Sequence, residues 1–213
     1  MSRNVMAALV AAGALAVSAC GSTSFNTTWK APDAKPMQVE PGDKILAMVI
    51  SQNEATRRGA EAALAAELTG RGAEGIPAHA VIPDDAVQDQ NKAKPYIEKT
   101  GAKYAIIMRA TGKEKEVSST PTMGGYYGPG WGGYGGFYGG FYGYGWGGAY
   151  GGSQIRTDTI VFVETLVYDL TNDEMIWAGQ SETMNPSKAE SMIKELVDEA
   201  GKEMRKQGVL PPK

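Results

Sequence analysis

The chain has 213 residues, 42% of them hydrophobic and 21% charged, with a formal net charge of -3. That length suffices for one well-buried domain. The charges are evenly spread with no basic face or stripe, which excludes nucleic acid as a partner. One cysteine, Cys20, and one histidine, His79, exclude an internal disulfide, a Cys-His triad and a histidine-rich metal site.

The N-terminus combines Arg3 with an apolar run from Val5 to Ala19, the pattern of a secretory signal. The run is shorter than the roughly 20 residues that span a bilayer. It ends in Val17-Ser18-Ala19-Cys20-Gly21, which resembles the bacterial lipobox. Residues 1–19 are thus expected to be a cleaved signal peptide, with Cys20 the lipid-attachment residue and its covalent acyl chains (palmitate among them) the only cofactor-like group. Two or more chains make such an anchor stable. No aspartate follows Cys20, which by resemblance to Gram-negative sorting points to the outer membrane, on its periplasmic face.

Residues 20–43 are interrupted by Pro32, Pro36 and Pro41 and read as a lipidated tether that contains Phe25 and Trp29. Folded structure is expected from Lys44. Ile45 to Ile50 reads as a strand buried on both faces. Ser51 with Glu54 forms a capping box for a helix carrying Ala60, Ala63, Leu64 and Leu68 and closed by Gly70 and Gly72. Ala78 to Ile82 reads as a second strand. Asp84 and Asp85 then cap a weaker helical stretch, broken at Pro95 and resumed from Tyr96 to Thr100. Tyr104 to Arg109 is a third apolar strand.

Thr157 to Leu170 is a long strand, turned at Asn172-Asp173 into Met175 to Met184. Ser187 with Glu190 forms a second capping box, and Met192, Ile193, Leu196, Val197, Ala200 and Met204 make an amphipathic helix that stops at Gly208. The expected fold class is therefore α/β (α+β), a single mixed sheet with helices packed on it, spanning residues 44–210.

Between the third strand and the long strand lies the segment Gly124 to Gly152, in which 16 of 29 residues are glycine and 11 are aromatic. Without it, Tyr104 to Val117 and Ile155 to Leu170 read as a long hairpin, so the insertion belongs at the tip of a sheet. Its rings are candidate partner-binding residues: Tyr126, Tyr127, Trp131, Tyr134, Phe137, Tyr138, Phe141, Tyr142, Tyr144, Trp146 and Tyr150. Three readings stand: a low-complexity loop without a fixed partner, an aromatic surface that stacks on sugars or other aromatics or sits at a lipid interface, and an oligomerisation or pore-lining element. The segment lacks the alternation of a membrane strand and the Lys-Ser/Thr ending of a phosphate loop.

No catalytic constellation is legible. Asp84-Asp85 and Asp173-Glu174 fall at turns or helix starts, where acids serve capping. His79 sits at the start of a short strand. Glu164, between Val163 and Thr165 in mid-strand, is either a shifted general acid or a structural residue that pairs with a nearby Lys or Arg or faces solvent. The sequence reads as non-enzymatic, with no metal and no catalytic residue.

The lipobox, Lys44-Ile45-Leu46-Ala47-Met48-Val49-Ile50, Gly101-Ala102-Lys103-Tyr104, Leu166-Val167-Tyr168-Asp169-Leu170 and Ile176-Trp177-Ala178-Gly179 resemble a group of bacterial envelope lipoproteins. Their domain is similar to that of penicillin-binding-protein activator lipoproteins and the curli secretion-channel lipoprotein. The resemblance implies a non-catalytic accessory factor that binds an envelope protein or peptidoglycan. Its alternative is an oligomeric component of an envelope assembly or secretion system.

Overall fold

The structure, a computed structural model, describes residues 23–116, 158–186 and 188–212. Cys20, the signal segment, the eleven aromatic residues of the Gly-rich insertion and Ser187 lie outside them. Six strands and four helices follow in the order β1 (Thr23–Lys30), β2 (Lys44–Ile50), α1 (Glu54–Thr69), β3 (Glu74–Pro77), α2 (Ala78–Val81), α3 (Gln90–Thr100), β4 (Tyr104–Glu116), β5 (Asp158–Asp169), β6 (Glu174–Met184) and α4 (Ala189–Lys206). The strands form one mixed sheet in the order β1-β6-β5-β4-β2-β3. β2 runs parallel to β3 and β4, and every other pairing is antiparallel.

The β2 run is apolar throughout because both faces are covered. Ile45, Ala47 and Val49 face the core under α1 and α4, while Leu46 and Met48 face a second core under α2 and α3. α4 buries Ile193, Leu196, Val197, Ala200 and Met204, the stripe its periodicity predicts. Trp177, fully buried, anchors the first core. Its ring meets Phe25 edge-on at 5.5 Å, and its indole N–H donates to Gln207 Oε1 at 3.1 Å.

Several local expectations are corrected. The stretch read as tether contains an eight-residue strand, β1, antiparallel to β6. A bulge between Phe25 and Thr27 breaks its alternation, so that Phe25 packs on the first core and Trp29 on the second. The chain beyond β1 also docks: Met37 is buried and its N–H donates to the Val209 carbonyl at 2.7 Å.

The strand expected at Ala78 lies four residues earlier, since Pro77 has no N–H to continue a ladder and instead precedes the short helix α2. Asn53, rather than Ser51, caps α1 by accepting the Thr56 N–H. Asp89, rather than Asp84 or Asp85, caps α3. That helix runs through Pro95 without a break, because Ala93 and Ile97 are buried and tertiary packing outweighs one missing backbone bond. Gly101 closes it in the left-handed conformation. α4 begins after Lys188, which makes no side-chain cap.

The long hairpin is present. β4 and β5 pair from Tyr104 opposite Asp169 to Glu116 opposite Asp158, with a bulge at Ala110 to Gly112. The chain leaves for the Gly/aromatic insertion at Glu116 and returns at Asp158.

Candidate functional site

Two groups of polar side chains stand out against this apolar frame. The first lies where the parallel strands β2 and β3 end. Glu61 occupies the buried stripe of α1 with Arg57, Leu64 and Leu68, and is completely inaccessible to solvent. Burial of an acid is costly unless its lone pairs are taken up. Here Oε2 accepts the His79 backbone N–H at 2.8 Å and lies 2.9 Å from His79 Nδ1, while Oε1 accepts the Val49 N–H at 3.3 Å. Arg57 Nη1 approaches Oε1 at 3.5 Å.

The charge is relayed outward. Arg57 Nη2 donates to Asp84 Oδ1 at 2.6 Å, Arg58 Nη2 to Asp84 Oδ2 at 2.5 Å, and Arg58 Nε to Glu54 at 2.8 Å. Burial raises the Asp84 pKa, but the hydrogen bonds and charges of Arg57 and Arg58 outweigh it and hold the carboxyl below its usual value. His79 thus orients on a carboxylate, and no nucleophile accompanies it in this network. The arrangement ties α1, β2, α2 and the following turn together. Glu61 escaped the sequence analysis, although its signal was present: an acid inside a helical apolar stripe needs a partner.

The second group crosses the antiparallel half of the sheet. Ile50, Arg109, Glu164, Gln180 and Thr27 are successive neighbours in one row across five strands. Glu164, 2% exposed, accepts the Arg109 Nε–H at 2.5 Å. Of the two readings of Glu164, the structure supplies the ion pair.

Beyond this row the two faces of the sheet differ. On one, Val161 and Val163 pack with Met192 and Ile193 of the first core. On the other, Ile160 and Phe162 belong to neither core. A cavity of about 240 Å³ opens there, lined by Asn26, Thr27, Thr111, Gly112, Glu114, Phe162 and Gln180, with no helix residue among them. Gly112 leaves room for the Phe162 ring, whose Cδ2 would stand 3.4 Å from a Cβ. Thr111, in the β4 bulge and 8% exposed, has a buried hydroxyl with no hydrogen-bond partner among the described residues. Buried hydroxyls are ordinarily hydrogen-bonded, which sets Thr111 apart from its neighbours. A bulge beside a site re-aims side chains in this way.

The remaining expected residues are dispersed. Asp173 and Glu174 stand at the β5–β6 turn, far along the strands from this cavity, with Asp173 at a positive φ of 53°. Asp85 lies in the turn before α3. Among the described residues, no cluster of three His, Cys, Asp or Glu side chains could hold a metal ion, and no helix is long and apolar enough to cross a membrane.

No family model matches the chain, and no curated protein matches it. Among solved structures it is similar to the PelC dodecamer from Paraburkholderia phytofirmans, at 10% identity and a TM-score of 0.42 over 84% of this chain and 96% of that one. It is also similar to lipoprotein GNA1162 from Neisseria meningitidis, at 17% identity and a TM-score of 0.39 over 78% of this chain and 99% of that one. Neither carries the name of a penicillin-binding-protein activator or a curli channel lipoprotein. At these scores the likenesses assign the chain no partner and no activity.

Proposed function

We propose that the chain is an outer-membrane lipoprotein, anchored through Cys20 and facing the periplasm, that acts by association and not by catalysis, as a structural component of an envelope assembly. The observation that carries this reading is the half-covered end of the sheet. Past the Arg109–Glu164 row, four strands continue, and among the described residues helices cover only one of their faces. The other face combines an aromatic ring, amide groups, a carboxylate and an unpartnered hydroxyl, the mixture of apolar and polar groups that suits a protein interface. The chain enters and leaves the Gly/aromatic insertion at this same end of the sheet, at Glu116 and Asp158.

The second reading, an accessory factor that grips a different envelope protein or peptidoglycan, uses the same face. Photo-crosslinking in cells from position 114, an exposed residue at the rim, tests both. Crosslinks between copies of the chain are expected for an assembly component. Crosslinks to another protein or to glycan select the accessory reading. No crosslink at all, together with a monomeric sedimentation profile of the lipidated protein, defeats both.

A further inference from the structure

A second cavity, of about 230 Å³, lies on the opposite side of the sheet, between its first-core face and helices α1 and α4. Its walls are mostly apolar, from Ile45, Leu68, Met108, Val167 and Val197 to Met204. Protein cores ordinarily close such spaces. An apolar cavity of roughly 150 Å³ already admits benzene. This one is larger and opens beside Val39, which is 37% exposed.

Three polar side chains break the apolar lining. Thr165, 1% exposed, presents a hydroxyl that is buried and without a hydrogen-bond partner among the described residues. Two arginines also line the cavity, and they differ in kind. Arg71 is neutralised by Glu67 and Asp198, at 3.1 and 3.0 Å. Arg205 makes no ion pair among the described residues. Its guanidinium folds back over Gly201, where an added Cβ would stand 3.3 Å from Nη2. A half-buried, uncompensated guanidinium beside an apolar chamber is a receptor for an anion that carries an aliphatic tail.

We infer that this cavity binds a single-chain anionic amphiphile, an alkyl carboxylate of medium length, with its tail among Met108, Val197 and Met204 and its head group on Arg205. The alkyl chain packs against the apolar walls, and the carboxylate pairs with Arg205, which makes no ion pair among the described residues. This site is separate from the association face and stands on its own observations.

The methionines supply a local readout. Met37, Met108 and Met204 line the cavity, whereas Met48 and Met175 are buried in the second core on the other face. The test uses the lipidated chain in phosphatidylcholine nanodiscs, labelled at the methionine methyls and titrated with octanoate. Octanoate is expected to shift the Met37, Met108 and Met204 methyl resonances and leave Met48 and Met175 in place. Octylammonium should leave all five unmoved, and octanol should need a concentration at least about tenfold higher, as expected for loss of a charge-assisted bond.

Arg205→Gln should weaken octanoate about tenfold while sparing octanol. Ala200→Leu, which fills the chamber, should abolish the shifts, and unchanged Met48 and Met175 signals report that this variant is folded. If Ala200→Leu does not fold, Val197→Phe, which also fills the chamber, is the second cavity variant, with the same loss of shifts expected. Equal midpoints for octanoate, octanol and octylammonium would overturn the proposal. So would octanoate shifts that survive both Arg205→Gln and the cavity variant, or no shift at all.

Discussion

Glu61 and His79 are 2.9 Å apart, carboxylate to Nδ1, with the acid wholly buried and the imidazole half-buried. The same carboxylate oxygen accepts the His79 backbone N–H, so one acid fixes both the start of α2 and the ring it carries. Because Oε1 also takes the Val49 N–H, Glu61 joins β2 to α2 through α1. Glu61→Ala leaves two backbone donors and Arg57 without this acceptor. Its expected cost is about 3 kcal/mol, within the range for breaking a buried pair by removing one partner. Urea denaturation measures it, as a lower midpoint at an unchanged slope. A loss under about 1 kcal/mol would show that the cluster does not hold the fold.

The acid side of the stability profile follows from Asp84, Asp43 and Asp198. Burial raises the Asp84 pKa, yet Arg57 and Arg58 bring it below 3.8; the hydrogen bond from Lys103 is the main influence that lowers Asp43. Asp198 is likewise lowered, by Arg71 and Lys194 against the opposing effect of burial. A folded-state pKa below the unfolded one gives stability that is present above the unfolded value and lost as pH falls through the folded value. The thermal midpoint should therefore be flat from neutral pH down to about 5 and fall below about 4. In Asp84→Asn the neutral-pH midpoint should drop toward the acid value and the slope below pH 4 should be shallower. An identical acid slope would remove Asp84 from the linkage.

How much of this was legible in the sequence depends on how each element meets its neighbours. β2 reads plainly because burial on both faces leaves an unbroken apolar run. α4 reads plainly because one stripe packs and the other faces remain polar. β1 does not, because the bulge after Phe25 puts Phe25 and Trp29 on opposite faces and destroys the period of two. β3 is only four residues long and contains Gly75 and Pro77, which carry no strand signal of their own.

The candidate face was harder still. Thr111 is ordinary in sequence, and only the bulge and the missing partner single it out. Its neighbours Asn26 and Gln180 come from strands 154 positions apart in the chain, a proximity that no local pattern encodes.

Gly75 gives a sharper prediction. It packs so closely under α1 that a Cβ would strike the Ala65 carbonyl and Cα, which are backbone and cannot turn aside. Gly75→Ala must push α1 away from β3 and strain the first core. An overpacking cost of about 2 to 3 kcal/mol is expected, at the upper end for one added methyl group. Gly59→Ala is the control, since nothing lies within 4 Å of its Cβ position and alanine favours the helix. Chemical denaturation should place the two variants on opposite sides of the parent.

The Arg109–Glu164 pair separates packing from charge. Both residues sit in the row where helical cover ends on one face, and their side chains are 17% and 3% exposed. Taking two charges into such a place costs solvation that their attraction only partly repays. Glu164→Leu alone leaves a guanidinium without this acceptor, and Arg109→Met alone leaves a buried carboxylate without its nearest cation. Each single change should destabilise by about 3 kcal/mol, while the double change Arg109→Met with Glu164→Leu should lie within about 1 kcal/mol of the parent. A double-mutant cycle measured by urea denaturation gives the coupling directly. If Glu164→Leu alone leaves stability unchanged, the carboxylate is dispensable to the fold, and its retention between Val163 and Thr165 would have to be sought in the association face next to it.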